Sequence, residues 1–295
     1  MSSYILHKRK EMQDAFLFLC YTIVGDEMKP KKTVTAMQLK WLTAILMLWD
    51  HVAKFMIPFL MTWMSATYGF SDELSYGILL IGTGFSCMTF FILAYLCAQS
   101  CRYTKHRVRY LRNLFLFALL SEVPFQFMIQ GMERETLHPS LGFTNVLVTM
   151  LLGALSCFIY DELEKRNQKV LGFGCALLLA ILANTLGTDY GFFGVMDIFM
   201  CFVCKEKKHQ LLALGIGILL QYGVFLLLAD IVLYGFSWII FLAYSMVVLY
   251  SLCSLLILNR YQGERGNHSK FKTYFFYVFY PLHMSILVGI YALLM

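Results

Sequence analysis

The chain has 295 residues, of which 59% are hydrophobic and only 14% are charged. Soluble domains typically carry about 25% charged residues, so the composition excludes a soluble globular protein. The net charge of +6 is modest for this length and does not indicate a module that binds nucleic acid. The chain is therefore expected to be a polytopic membrane protein.

Residues 1–35 form an N-terminal segment that differs from the rest of the chain. It begins with the basic sequence MSSYILHKRK and lacks the apolar core and small-residue cleavage site of a secretory signal. The apolar stretch 14–25 is too short to cross a bilayer, but it can form a helix on the membrane surface. We expect a cytosolic segment at 1–35, followed by a transmembrane domain at 36–295.

The transmembrane domain contains nine apolar runs. A hydrocarbon core of about 30 Å requires roughly 20 residues per helix, so these runs are the candidate transmembrane helices. When successive loops are assigned to alternate sides, 22 of the 24 basic residues fall on one side, either in its loops or at the adjoining ends of the runs. The positive-inside rule makes that side cytosolic. The prediction is an all-α bundle of about nine transmembrane helices in the cytoplasmic membrane, with the N-terminus cytosolic and the C-terminus outside. The runs are 36–62, 74–98, 109–131, 143–160, 169–187, 191–204, 210–229, 236–258 and 273–294.

Asp50 and His51 lie deep inside the first run, where ionisable side chains are costly. Lys40 comes eleven residues earlier, so about three helical turns place it on the His51 face, roughly 16 Å away. A histidine titrates near neutral pH, and an aspartate can orient it or stabilise its cation. His51 and Asp50 are therefore predicted to be catalytic. The alternatives are a polar pair that only joins helices, or an internal ion pair of Asp50 with Lys54.

Polar residues from other runs fall at overlapping depths, if the chain rises about 1.5 Å per residue. This coincidence favours a shared site that binds the substrate, because each such group is costly unless it is paired or hydrated. Taken singly, each residue also has a structural explanation. It could cap a helix, bond the backbone groups that a proline leaves free, or form a hydrogen bond between helices. The predicted substrate-binding residues are Glu122, Asn145, Asp189, Tyr190 and His283.

Basic residues cluster at the predicted cytosolic interface. Such clusters commonly set the topology and contact anionic lipid, but they can also bind the phosphates of an anionic cofactor. The predicted cofactor-binding residues are Lys40, Arg102, Arg109 and Arg112. No nucleotide-binding glycine motif and no metal-ligand spacing occurs in the sequence, so no metal is expected.

Several motifs, taken in order, resemble the TraX family of membrane proteins, which is linked to acetylation of pilin N-termini in conjugative systems. The resemblance covers about residues 37–287. The motifs are LMLWDH (Leu46–His51), Glu122-Val-Pro-Phe125, Thr144-Asn145, Asp189-Tyr190-Gly191 and YFFYVFYPLHM (Tyr274–Met284). The chain departs from the family where an Arg and a Phe-Pro are expected near Gly82–Phe90, and where Gln99-Ser100 replaces an expected Glu-Gly. These departures imply a different substrate or impaired activity.

The family is similar to the wider transmembrane acyltransferases, in which a basic residue and a histidine separated by ten positions mark the first core helix. Lys40 and His51 match that spacing. The resemblance implies that acetyl-CoA or another acyl-CoA enters from the cytosol, and that the acyl group reaches an extracytoplasmic peptide N-terminus or glycan hydroxyl. The expected partners are thus acyl-CoA, that acceptor and membrane lipid.

In such a reaction His51 would act as a general base or would carry the acyl group itself, and the sequence leaves both routes open. Asp50 and Glu122 would stabilise the imidazolium or bind an acceptor amine, and Asn145 and Tyr190 would donate to the oxyanion. Two other classes of function remain. A proton-coupled transporter uses intramembrane carboxylates and histidines, and a noncatalytic assembly protein would fit the departures at Gln99-Ser100.

The orientation can be tested with reporter fusions. Alkaline phosphatase fused to the C-terminus is expected to be active, because the enzyme folds only outside the cytosol. Green fluorescent protein fused after Arg166 is expected to fluoresce, because that loop is predicted to be cytosolic. A fluorescent C-terminal fusion with no phosphatase activity would contradict the orientation.

Overall fold

The structure is a computed structural model that describes residues 33–132, 142–266 and 269–294. The predicted surface helix at 14–25 and most of the predicted N-terminal segment lie outside the described residues. The side chain of Lys54, on which the alternative ion pair of Asp50 depends, also lies outside them.

The described part of the chain is helical apart from turns and one isolated bridge between Val34 and Tyr261. It also contains a 3₁₀ turn at Gly84–Cys87 and a π-helical segment at Leu219–Leu226. The helices are α1 (Ala36–Tyr68), α2 (Asp72–Thr83), α3 (Met88–Tyr103), α4 (Arg107–Met132), α5 (Val146–Lys165), α6 (Lys169–Thr185), α7 (Gly191–Val203), α8 (Lys207–Ile218), α9 (Leu227–Tyr234), α10 (Trp238–Asn259) and α11 (Lys270–Leu294).

Five helical segments of the described chain are long and apolar enough to cross a membrane. They are Asp72–Tyr103, Arg107–Gln130, Val146–Lys165, Lys207–Tyr234 and Trp238–Asn259. Three apolar helices are shorter, at Lys169–Thr185, Gly191–Val203 and Tyr274–Ile290. The prediction of an all-α, multi-pass membrane protein is confirmed, whereas the count of nine spans and the orientation stay predictions.

Helix α1 begins at a capping box. The Thr35 hydroxyl accepts from the Gln38 N–H, and the Gln38 side chain accepts from the Thr35 N–H, which satisfies two of the donors left free at a helix start. The helix has 33 residues and is about 50 Å long. It ends at Gly69, whose positive φ of 66° suits glycine.

The 3₁₀ turn after α2 brings the chain close to α1 and α10. A Cβ on Gly84 would lie 2.6 Å from a methyl group of Val247 in α10, so only glycine permits this approach. The turn also directs the Ser86 hydroxyl toward Asp50 in α1. The 3₁₀ turn thus supplies a hydrogen bond to Asp50, one of the two residues predicted to be catalytic.

Helix α7 begins at a tight junction with α3 and α5. Tyr190 adopts a positive φ of 65°, and its ring stacks on Phe90 of α3 with centroids 3.8 Å apart. A Cβ on Gly194 would lie 2.6 Å from Thr149 and 2.9 Å from Phe90, so glycine is required where the three helices meet. Around this core, α1, α3, α4, α5 and α11 enclose one cavity.

Candidate functional site

The two predicted intramembrane histidines meet in the interior. His51 in α1 and His283 in α11 are 4% and 5% exposed, and their rings stack with centroids 4.8 Å apart. His51 Nδ1 lies 2.6 Å from His283 Nε2, within hydrogen-bonding distance. The pair therefore joins the first and last described helices at the centre of the candidate site.

The partner of the second His283 nitrogen determines where the protons lie. His283 Nδ1 is 2.6 Å from the carbonyl oxygen of Phe279, which can only accept, so Nδ1 carries the hydrogen. In the neutral ring His283 Nε2 is then an acceptor, and His51 Nδ1 must donate to it. His51 Nε2 is consequently left unprotonated and is the basic nitrogen of the pair.

Asp50 lies beside that nitrogen. Its Oδ2 is 4.0 Å from His51 Nε2, too far for a hydrogen bond but close enough to stabilise a positive charge on the ring. Its Oδ1 accepts a 2.8 Å hydrogen bond from the Ser86 hydroxyl. The carboxylate is therefore oriented by the 3₁₀ turn and favours protonation of His51 at Nε2.

Glu122 and Asn145 are also brought together, but as a closed clamp between α4 and the start of α5. Glu122 is fully buried, and its carboxylate accepts from the backbone and side chains of Thr144 and Asn145 and from Gln126, at 2.5–3.3 Å. The Asn145 amide donates to Glu122 and to the carbonyl of Ala118. An oxyanion role for Asn145 would require one of these bonds to break.

Asp189 and Tyr190 lie in the turn before α7, which is tied to the start of α5. The Asp189 N–H donates to the Thr144 carbonyl at 2.6 Å, and the Thr149 hydroxyl donates to the Asp189 carbonyl. Burial raises the pKa of Tyr190, so its hydroxyl keeps its proton at neutral pH. The turn and the Glu122 clamp thus share Thr144 and form one polar layer.

A cavity of about 160 Å³ lies along the face of α1 that carries Lys40 and His51. From α1 it is lined by Lys40, Thr43, Ala44 and Met47, which follow one another at helical spacing. Its other walls are mainly apolar and end at Phe279 and Tyr280 of α11. His51 does not itself line the cavity, but its ring centroid lies 6.1 Å from that of Tyr280. The cavity that is lined by Lys40 therefore extends as far as Tyr280, one side chain before the histidine pair.

Of the four residues predicted to bind a cofactor, Lys40 alone lines this cavity. The Arg102 guanidinium donates to three carbonyls at the end of α7, those of Cys201, Phe202 and Cys204, at 2.7–3.1 Å. Arg109 and Arg112 are exposed on the side of α4 opposite the cavity. Their position suits contact with lipid headgroups better than contact with a ligand in the cavity.

The positions where the chain departs from the expected family pattern now have a structural setting. The Gln99 amide donates to Gln210 at 2.9 Å, so it joins α3 to α8 away from the cavity. Ser100 lines the cavity, although its hydroxyl bonds the Leu96 carbonyl within its own helix.

Sequence reasoning overlooked Tyr280. It lines the cavity and is 4% exposed. The available signal was its spacing: Tyr280 precedes His283 by three residues, which places both on one face of α11. Ser86 was also overlooked, because no sequence pattern predicts the 3₁₀ turn that directs it to Asp50.

The fold and this site together define a polytopic α-helical membrane protein with a histidine pair buried one side chain beyond an internal cavity. The TraX family model, described as TraX protein, matches residues 35–291. The chain belongs to the TraX family, as the motifs indicated, and thus to membrane proteins of the conjugation and pilin-modification type. No curated protein and no solved structure matches it.

The contacts of Arg102 predict a structural role that can be separated from cofactor binding. Replacing it with alanine removes a hydrogen-bond donor from three carbonyls at the end of α7, although the Gln210 amide still donates to that of Cys204. The expected cost is about 1–3 kcal/mol. Arg102→Ala should therefore lower the thermal unfolding midpoint of the detergent-purified protein, whereas Arg109→Ala should not. An Arg102→Ala protein that unfolds like wild type but binds acetyl-CoA weakly would instead favour the phosphate-binding role.

Proposed function

We propose that this protein is a membrane-embedded acyltransferase that moves an acetyl or other short acyl group from cytosolic acyl-CoA to an acceptor on the opposite face of the membrane. The observation that carries the proposal is the cavity, which has a lysine at one end and a histidine pair next to the other. The lysine can bind a phosphate of acyl-CoA, and the buried base can remove the proton of an acceptor that attacks the thioester.

The walls of the cavity suit the reactive end of acyl-CoA. They are mainly apolar and include Leu93, Leu114 and Met150, which favours an extended chain such as the pantetheine arm with its thioester. The bulky, charged nucleotide would remain outside, at the Lys40 end. Lys40 forms no ion pair among the described side chains, so its ammonium group is available for a phosphate.

The histidine pair supplies the base. His51 Nε2 is unprotonated in the neutral pair, so it can accept the proton of an attacking amine or hydroxyl. The acceptor then bonds to the thioester carbon, the carbon–sulfur bond breaks, and the departing thiolate takes the proton from His51. The same nitrogen would attack the thioester if His51 carried the acyl group itself. Asp50 stabilises the imidazolium in either route.

The acceptor is expected to approach from the side of the polar layer formed by the Glu122 clamp and the Asp189 turn. TraX relatives are linked to pilin modification, which makes a peptide N-terminus the first acceptor to test. A glycan hydroxyl is the second acceptor to test, because a base must remove its proton during the attack as well.

One observation favours the transporter alternative. Asp197 in α7 is 4% exposed, abuts Gly217 in α8, and has an Oδ2 atom without a hydrogen-bond partner in the described chain. A buried carboxyl of this kind can carry a proton. A transporter would move its substrate intact across the membrane, whereas a transferase consumes acyl-CoA and releases a thiol.

The test uses the full-length protein in sealed proteoliposomes, with radiolabelled acetyl-CoA outside and a short peptide with a free N-terminus, or an oligosaccharide, inside. Wild type is expected to release CoA thiol and to label the enclosed acceptor. His51→Ala should reduce labelling by roughly 10²–10⁴-fold, the usual contribution of a general base. Labelled acetyl-CoA found intact in the lumen would indicate transport.

Lys40→Ala provides an independent measurement on the same system. Loss of a charge-assisted contact to a phosphate should raise the KM for acetyl-CoA by roughly 10-fold and leave kcat nearly unchanged. Lys105→Ala is the matched control, because Lys105 is an exposed lysine that does not line the cavity. Equal KM values for the two variants would contradict the role of Lys40, and the absence of any acetyl-CoA turnover would favour an assembly protein.

A further inference from the structure

Tyr280 occupies the point where the cavity meets the rest of the candidate site. Its ring centroid is 6.1 Å from that of His51 and 5.9 Å from that of His283. Tyr280 therefore lies in the cavity wall and beside both rings of the histidine pair.

The Tyr280 hydroxyl has no hydrogen-bond partner in the described part of the chain, although the side chain is only 4% exposed. By contrast, Glu122 accepts five hydrogen bonds, and Ser86 donates to Asp50. Burying a hydroxyl without a partner is costly, so its presence calls for an explanation outside the folded chain itself.

A second donor lies in the wall of the same cavity. Val146 is the first residue of α5 and, like Tyr280, it lines the cavity. The neighbouring N–H groups are satisfied: those of Thr144 and Asn145 donate to Glu122, and that of Leu147 donates to the Asn145 side chain. No carbonyl or carboxylate accepts from Val146 among the described residues. The start of α5 thus presents one N–H, at the positive end of the helix, beside one unpartnered O–H.

We propose that the Tyr280 hydroxyl and the Val146 N–H form an oxyanion hole for the thioester carbonyl of acyl-CoA, an inference that rests on the function proposed above. As the acceptor bonds to the carbonyl carbon, the carbon–oxygen π electrons move onto the oxygen. That oxygen then accepts hydrogen bonds from both donors. When the carbon–sulfur bond breaks, the double bond re-forms and the leaving thiolate takes the proton held by His51 Nε2. Tyr280 thus takes the donor role that sequence reasoning gave to Asn145 and Tyr190.

The test is the Tyr280→Phe variant, assayed by thiol release from acetyl-CoA in the same proteoliposomes. Loss of one oxyanion donor should lower kcat by roughly 10²-fold or more, with little change in KM. The thermal unfolding midpoint should not fall, because the missing hydroxyl has no partner in the described chain. Tyr274→Phe, the same substitution at an exposed position of α11, should have wild-type kinetics.

A dithioester analogue of acetyl-CoA, with sulfur in place of the carbonyl oxygen, tests whether the carbonyl oxygen is the atom to which Tyr280 donates. Sulfur accepts hydrogen bonds weakly, so the ratio of the wild-type rate to the Tyr280→Phe rate should shrink toward one with this substrate. A ratio that is unchanged, a wild-type kcat for Tyr280→Phe, or a fall in activity matched by a fall in the unfolding midpoint would each overturn the proposal. If wild type itself consumes no acetyl-CoA, the proposed function fails, and the oxyanion hole fails with it.

Discussion

The hydrogen bond between His51 and His283 is the interaction on which the rest of the site depends. It joins residues 232 positions apart, on α1 and α11, in a buried environment where an unpaired imidazole would be costly. Because the Phe279 carbonyl fixes the His283 tautomer, the bond also determines that His51 Nε2 is the basic atom. This one contact thus joins the first and last described helices and fixes which imidazole nitrogen is basic.

The intramembrane polar residues divide into two groups with different roles. The Glu122 clamp has its acceptors filled by Thr144, Asn145 and Gln126, and it holds the start of α5 in place. By contrast, Tyr280 keeps a hydroxyl without a partner in the described chain, and Nε2 is the basic nitrogen of His51. The first group costs less to bury because it is satisfied internally, and it holds the start of α5, whose Val146 N–H is the second donor of the proposed oxyanion hole.

The sequence predicted the class of fold well, because about 20 apolar residues per span leave few alternatives to a membrane helix. It also predicted that polar groups converge, since helical rise converts position into depth. It did not predict their partners. Rise and periodicity give the level and the face of a side chain, but not which helix packs against it. Arg102 and Lys40 both appeared to be cofactor ligands, although Arg102 bonds the carbonyls at the end of α7. Likewise, the role of Tyr280 depends on which neighbouring hydroxyls and N–H groups are already bonded.

An experimental structure of the protein bound to a non-hydrolysable acetyl-CoA analogue would show most directly whether the cavity leads acyl-CoA from Lys40 toward the histidine pair, as proposed. We expect phosphate density beside Lys40, the pantetheine arm in the cavity, and the acyl carbonyl next to Tyr280 and Val146 on the side of His51. An analogue bound with its acyl group remote from His51, or bound outside this cavity altogether, would contradict the proposal.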